Sequence, residues 1–232
     1  MPTTTPDRGA PPLTEAVLAK LAGQSFDAMP SGCRADAYGM DYLWFALPDG
    51  SELYVTRHGW PFIHNLLPQA WFYDRRYKTA GTRLTGSTGT LYRVPTMGPT
   101  GKALTLVTKF SRFAQEVPLQ VMEEYPGFLT PEILAGAHFN SPFEEFGMLH
   151  RLRQSFSEKP PYRLLTQRPL AIYQPPQEFQ LWQLGRSDWR FDSQESELQR
   201  QQSHARGVHE VHLQQNKQYV TIFGWVHGQN AE

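Results

Sequence analysis

"TRLTGSTGTLYRVPTMGPTGKALTLVTKFS", residues 82–111, is the stretch whose reading decides the fold. Two β-rich runs, "TLYRV" and "ALTLVTKFS", flank a proline–glycine turn and read as a hairpin. Gly86 and Gly89 precede the first run and sit between two strand-like halves. A dinucleotide-binding fingerprint or a Walker loop needs a helix N-terminus directly after its glycines, so neither fits here. Two readings stay open. The glycines form a plain tight turn, or they form a backbone turn folded over the phosphates of a nucleotide.

A phosphate cradle needs a cation. Lys109 supplies one, inside an apolar strand beside Leu106, Val107 and Phe110. A lysine so placed must reach water, an anion or a carboxylate, because burying it unpaired costs several kcal/mol. Taken alone it reads first as an edge-strand charge, since edges often carry lysine. The carboxylates within prospect lie in "NSPFEEFGMLHRLRQSF" (140–156), the clearest helix of the chain. Ser141 caps it, Pro142 suits its first position and Glu144 completes a capping box. Phe146, Leu149, Leu152 and Phe156 are expected along its buried face. Glu145 is left to turn toward the sheet and meet Lys109.

Upstream, "LTEAVLAKLAGQ" (13–24) carries a helical stripe at Leu13, Val17, Leu18 and Leu21, with Gly23 as a stop. "DYLWFALPDGSELYVTRHGW" (41–60) is a second hairpin, turning at Pro-Asp-Gly. "PFIHNLLPQAWFYDRRY" (61–77) begins as a helix that Pro68 must interrupt. The aromatic residues Trp44, Phe45, Trp60, Phe62, Trp71 and Phe72 read as core. Residues 115–139 read as a proline-punctuated insertion with a short helix after Thr130. "PLAIYQPP", "EFQLWQLG" and "QYVTIFGWV" are further short strands, and the polar segment between the last two is a solvated helix or loop. The fold class expected is α+β, a mostly antiparallel twisted sheet with one main packed helix and an N-terminal helix and hairpin extension.

With 232 residues the chain has length enough for a sizeable core. Lys+Arg and Asp+Glu number 22 each, so no global field draws in nucleic acid or an anionic membrane. The lone Cys33 excludes an intramolecular disulfide and a thiolate metal cluster and reads as a packing residue. A cytoplasmic setting is the expectation, since no run approaches a membrane span or a signal core. His204, His209 and His212 invite a metal reading, but their Gln-rich surroundings favour a solvated segment.

"GSTGTLYRV", "LVTKF", "EEFGMLHRL" and "QYVTIFGWVHGQN" resemble, in order and character, the N-terminal lobe of protein kinases. The resemblance covers roughly residues 80–232 and implies three parts: a flexible tail (1–12), an extension (13–80) and a kinase-like lobe (81–232). It implies ATP with magnesium as the ligand. Gly86, Ser87, Thr88 and Gly89 would cover its phosphates, Lys109 would hold the α- and β-phosphates, and Glu145 would orient Lys109. Leu91 would cover the adenine, and Phe223 would stand behind it. Gly224, Trp225, Val226 and His227 would form the hinge. The sequence departs from the family pattern at Leu84, which replaces the first loop glycine, and in the long interval between Lys109 and Glu145. Gly224 also stands where the hinge usually carries an acid. No catalytic-loop aspartate, metal-holding asparagine or Asp-Phe-Gly segment is present, so the chain is expected to be a fragment or split product, partnered by a missing second lobe or another protein. The competing expectation is a non-catalytic binding or scaffold module of the same shape.

Overall fold

A computed structural model describes residues 12–21, 23–85, 90–111, 117–118, 138–139, 141–157, 166–177 and 218–226. Among these residues ten strands are formed: β1 (Arg34–Ala37), β2 (Met40–Ala46), β3 (Glu52–Thr56), β4 (Thr82–Leu84), β5 (Thr90–Met97), β6 (Ala103–Ser111), β7 (Val117–Pro118), β8 (His138–Phe139), β9 (Arg168–Gln174) and β10 (Tyr219–Gly224). Eight of them make one open sheet in the order β1-β2-β3-β9-β10-β6-β5-β4, and every pairing is antiparallel. The fold is α+β. The two-residue ladder of β7 with β8 stands apart from it, within the 115–139 segment. The helix expected after Thr130, the "EFQLWQLG" strand and the polar segment before 218 lie outside the described residues.

Local chemistry accounts for the turns. Between β2 and β3, Gly50 takes the positive φ of 83° that the Pro-Asp-Gly turn needs. Asp49 then accepts from the Ser51 amide at 3.0 Å, from the Ser51 hydroxyl at 2.6 Å, and from the Tyr73 hydroxyl. Between β5 and β6, Gly101 has φ 74° and its amide reaches the Gly98 carbonyl at 3.0 Å. Pro68 divides the helical stretch as its chemistry dictates: α2 (Ile63–Leu66) ends, Leu67 turns extended, and α3 (Pro68–Trp71) starts on the proline.

The two faces of the sheet are covered differently. One face presents Leu43, Phe45, Leu53, Val55, Tyr92, Val94, Leu106, Phe110, Tyr173, Val220 and Ile222. Against it pack Leu18 of α1 (Glu15–Leu21), Trp60, Ile63, Leu66, Trp71 and Tyr77 of α4 (Arg76–Thr79). Trp60, Trp71 and Tyr77 thus cover this face, whereas Trp44 and Phe45 belong to the sheet itself. The other face presents Tyr42, Trp44, Tyr54, Val107, Ile172, Tyr219 and Phe223 to α5 (Pro142–Ser157), which buries Phe143 and Phe146 there. The sheet therefore carries the one long helix, α5, on this face and the short N-terminal helices on the other. Strand β3 pairs directly with β9, so β1–β3 belong to the same sheet as β4–β6, β9 and β10. Cys33 packs partly buried beside the first core, and burial raises its thiol pKa. Among the described residues no helix is long and apolar enough to cross a membrane.

Asp49 offers a pH test of the β2–β3 turn. Burial raises its pKa, but the hydrogen bonds from Ser51 and Tyr73 outweigh that and hold it below the ordinary 3.8. A carboxyl depressed by folding stabilises above its unfolded pKa and loses that contribution as pH falls through its folded value. Asp49→Asn is therefore expected to lower the melting temperature at neutral pH. The gap to the native chain should close as pH drops below about 4, read by thermal melts across pH. A gap that persists undiminished in acid would contradict this role.

Candidate functional site

The site is built on three neighbouring elements, β5, β6 and α5. Strand β6 lies inside the sheet, between β10 and β5, so Lys109 is not the edge charge that its strand alone allowed. The β5–β6 register pairs Leu91 with Lys109 and Arg93 with Val107, and the β10–β6 register pairs Lys109 with Thr221 and Val107 with Phe223. Directly opposed residues share a face, so all six point to the side where α5 packs.

The capped helix start is formed: the Glu144 amide donates to Ser141 Oγ at 3.1 Å, and the Glu145 amide to the Ser141 carbonyl at 2.9 Å. One position further on, Glu145 faces the sheet. Lys109 Nζ donates to Oε1 and to Oε2 of Glu145, each at 2.8 Å. The side chains are 31% and 29% exposed, so the pair is neither sealed in the core nor free in solvent. An ammonium has three donors. One that bonds a carboxylate while remaining partly accessible keeps capacity for an incoming anion.

The remaining candidates divide clearly. Leu91 is half-buried against the α5-side core. Phe223 is buried and packs on Phe146, with ring centroids 5.1 Å apart. Gly224 ends β10, and Trp225 and Val226 follow it half-exposed. The Trp225 amide donates to the Thr105 carbonyl at 2.9 Å, which ties the segment after β10 to β6. Gly86, Ser87, Thr88, Gly89 and His227 lie outside the described residues, as do His204, His209 and His212. The strands on either side of 86–89 are described, and Leu84 pairs with Leu91 across them. Leu91 in turn pairs with Lys109, so the described ends of β4 and β5 lie beside that lysine.

Two features were not read from the sequence. The Arg93 guanidinium lies over the Trp225 ring, 5.4 Å from its centroid, across the strand from Val107. The two-residue alternation that puts Arg93 on the face of Leu91 was legible, but its partner was not. Helix α5 also buries Phe143, Phe146 and Gly147, whereas Leu152 is 40% exposed. The buried stripe is thus rotated about the helix from the expected Phe146–Leu152 line, and the Phe156 side chain lies outside the described residues.

Compared with family models, with curated proteins and with solved structures, the chain finds no match. The site must be judged on its own chemistry. Around one cation fixed by one carboxylate, the same sheet face carries half-buried Leu91, buried Val107 and Phe223, and half-exposed Trp225. Among the described residues no group of three or more His, Cys, Asp or Glu side chains is placed to hold a metal ion. A cavity of about 340 Å³ lies elsewhere, at the far end of β5 and β6, lined by Ala70, Arg76, Thr96 and Leu104. It is separate from the Lys109–Glu145 pair.

Proposed function

We propose that β4, β5, β6, β10 and β9, with α5, form the ATP-binding lobe of a protein-kinase-like phosphotransferase. The observation that carries this reading is the Lys109–Glu145 pair, 2.8 Å from ammonium to each carboxylate oxygen. Its setting supports it. Counting from β4, the strand before the glycine-containing segment, the lysine lies on the third strand, β6, and the glutamate on α5, ahead of β9 and β10, an order that kinases also use.

Each residue then has a defined task. Lys109 binds the α- and β-phosphates electrostatically, and Glu145 holds the ammonium where those phosphates arrive. Gly86, Ser87, Thr88 and Gly89 cover the phosphates with backbone donors. Leu91 and Val107 give the adenine an apolar surface, and Phe223 closes the space behind it. The Trp225 amide is engaged by Thr105, so the adenine edge meets the segment at Gly224 and Val226. Bound with the nucleotide, magnesium would supply charge screening of the phosphates, and none of these residues is assigned to hold it. Lys109 and Glu145 bind and orient; the groups that accept the hydroxyl proton and hold the metal belong, in that family, to a second lobe.

The scaffold reading predicts a different result in the same experiment. With ATP and magnesium at about ten times the dissociation constant, the native chain should melt a few degrees higher. Lys109→Ala should show no such response. Absence of a shift in the native chain at millimolar ATP would favour the non-catalytic module.

A further inference from the structure

We infer that the N-terminal extension is a positioning device for Glu145: the β1–β2 turn seats α5 through Gly147 and thereby fixes the carboxylate at Lys109. This inference rests on the nucleotide-lobe reading for its functional meaning, but its geometry stands independently. Tyr38 and Gly39, between β1 and β2, both take left-handed backbone conformations, with φ of 53° and 75°. That conformation is uncommon for a tyrosine and has to be held by its surroundings. Against it lies Gly147, one turn of helix from Phe143 and two residues from Glu145. A Cβ placed on Gly147 would stand 2.7 Å from the Tyr38 carbonyl oxygen and 2.9 Å from the Tyr38 Cβ. Both neighbours belong to the fixed turn, so neither can swing away as a long side-chain tip would. Only glycine permits this approach.

The helix is gripped at a second point by the same extension. Phe143 inserts among Tyr42 of β2, Tyr54 of β3 and Tyr219 of β10, with centroid distances of 5.5, 5.0 and 5.6 Å. Two of these three rings belong to the extension. On the lobe side, Phe146 meets Phe223. Glu145 therefore lies on a helical turn bracketed by Phe143, Phe146 and Gly147, and two of those three brackets rest on β1–β3. Lys109 sits on an interior strand with partners on both sides, so the placement of the pair turns on where α5 is seated. Gly147, Tyr38 and Phe143 are positioning residues for the ion pair, and the chain sets the helix in its paired position without help from another molecule.

The test is a double-mutant cycle, Lys109→Met with Glu145→Gln, read by urea unfolding of the full chain, first with Gly147 and then with Gly147→Ala. The native background should show a coupling of about fivefold or more in the unfolding equilibrium. With Gly147→Ala the coupling should fall close to unity. A general loss of stability cancels within each cycle, so a merely structural role for Gly147 would leave the coupling unchanged, and that result overturns the inference. Leu66→Ala, on the opposite face, should lower stability and keep the coupling; loss of coupling there would also overturn it. If Gly147→Ala does not fold, a glycine inserted between Gly39 and Met40 withdraws the turn without adding an atom to α5, and the same two outcomes apply. No nucleotide enters this cycle. An ATP-unresponsive native chain would strike the nucleotide reading and leave the measured coupling, and what it says of positioning, intact.

Discussion

Trp71→Ala should cost about 3–5 kcal/mol of folding free energy, the range for removing a large buried aromatic side chain. Trp71 is fully buried on the sheet face opposite α5. Its ring meets Phe72, Phe110 and Tyr173 at centroid distances of 5.4, 6.5 and 5.6 Å. It thus links the short helices 60–79 to β6 and β9 at once. Its indole N–H also donates to the Leu66 carbonyl at 3.0 Å, and truncation leaves that buried acceptor without its donor. Domains of this size have about 5–15 kcal/mol in total, so the variant should retain a small margin and unfold at markedly lower urea. Trp71→Phe keeps most of the ring contact and should lose less. Met97→Ala, on a residue 64% exposed, should stay within about 0.5 kcal/mol of native. Comparable midpoints for Trp71→Ala and Met97→Ala would contradict the assignment of this core.

What was legible in the sequence was mainly what local chemistry controls. Pro-Asp-Gly and Gly-Pro-Thr-Gly set two turns, Pro68 set a helix break, and Ser141 set a helix start; all four depend on residues within one turn of each other. Glu145 could be aimed at Lys109 because the cap fixes where the helix begins, and hence which side chain faces the sheet. The parts that were not legible depend on distant segments. The β3–β9 pairing joins residues more than 110 positions apart, and nothing in either strand names its partner. Lys109 read as an edge charge on its own strand because β10, which covers that side, arrives over a hundred residues later. The buried stripe of α5 was misjudged for a different reason. It runs through Phe143, Phe146 and Gly147, the last with no apolar side chain to count, and Leu152 lies about half a turn of the helix away from Phe143 and Gly147.

The second large effect concerns ATP affinity. Charge-assisted hydrogen bonds contribute about 1.5–3 kcal/mol, so Lys109→Met should weaken ATP binding by roughly 10–100-fold, read by calorimetric titration. Glu145→Gln should weaken it less, because the ammonium remains and only its orientation is relaxed. A Glu145→Gln effect as large as that of Lys109→Met would mean that the carboxylate does more than position the lysine. Adenosine, which lacks the phosphates, should bind both variants and the native chain alike.

In the proposed lobe the nucleotide lies on the α5-side face of β5 and β6, against the Lys109–Glu145 pair. Methyl-labelled NMR during an ATP–magnesium titration tests this most directly, because adjacent residues of these strands report opposite faces. Leu91 and Val107 should shift saturably, while Val94 and Leu106, buried on the other face, should hold still. Shifts confined to Val94 and Leu106, or none at any of the four at millimolar ATP, would contradict it.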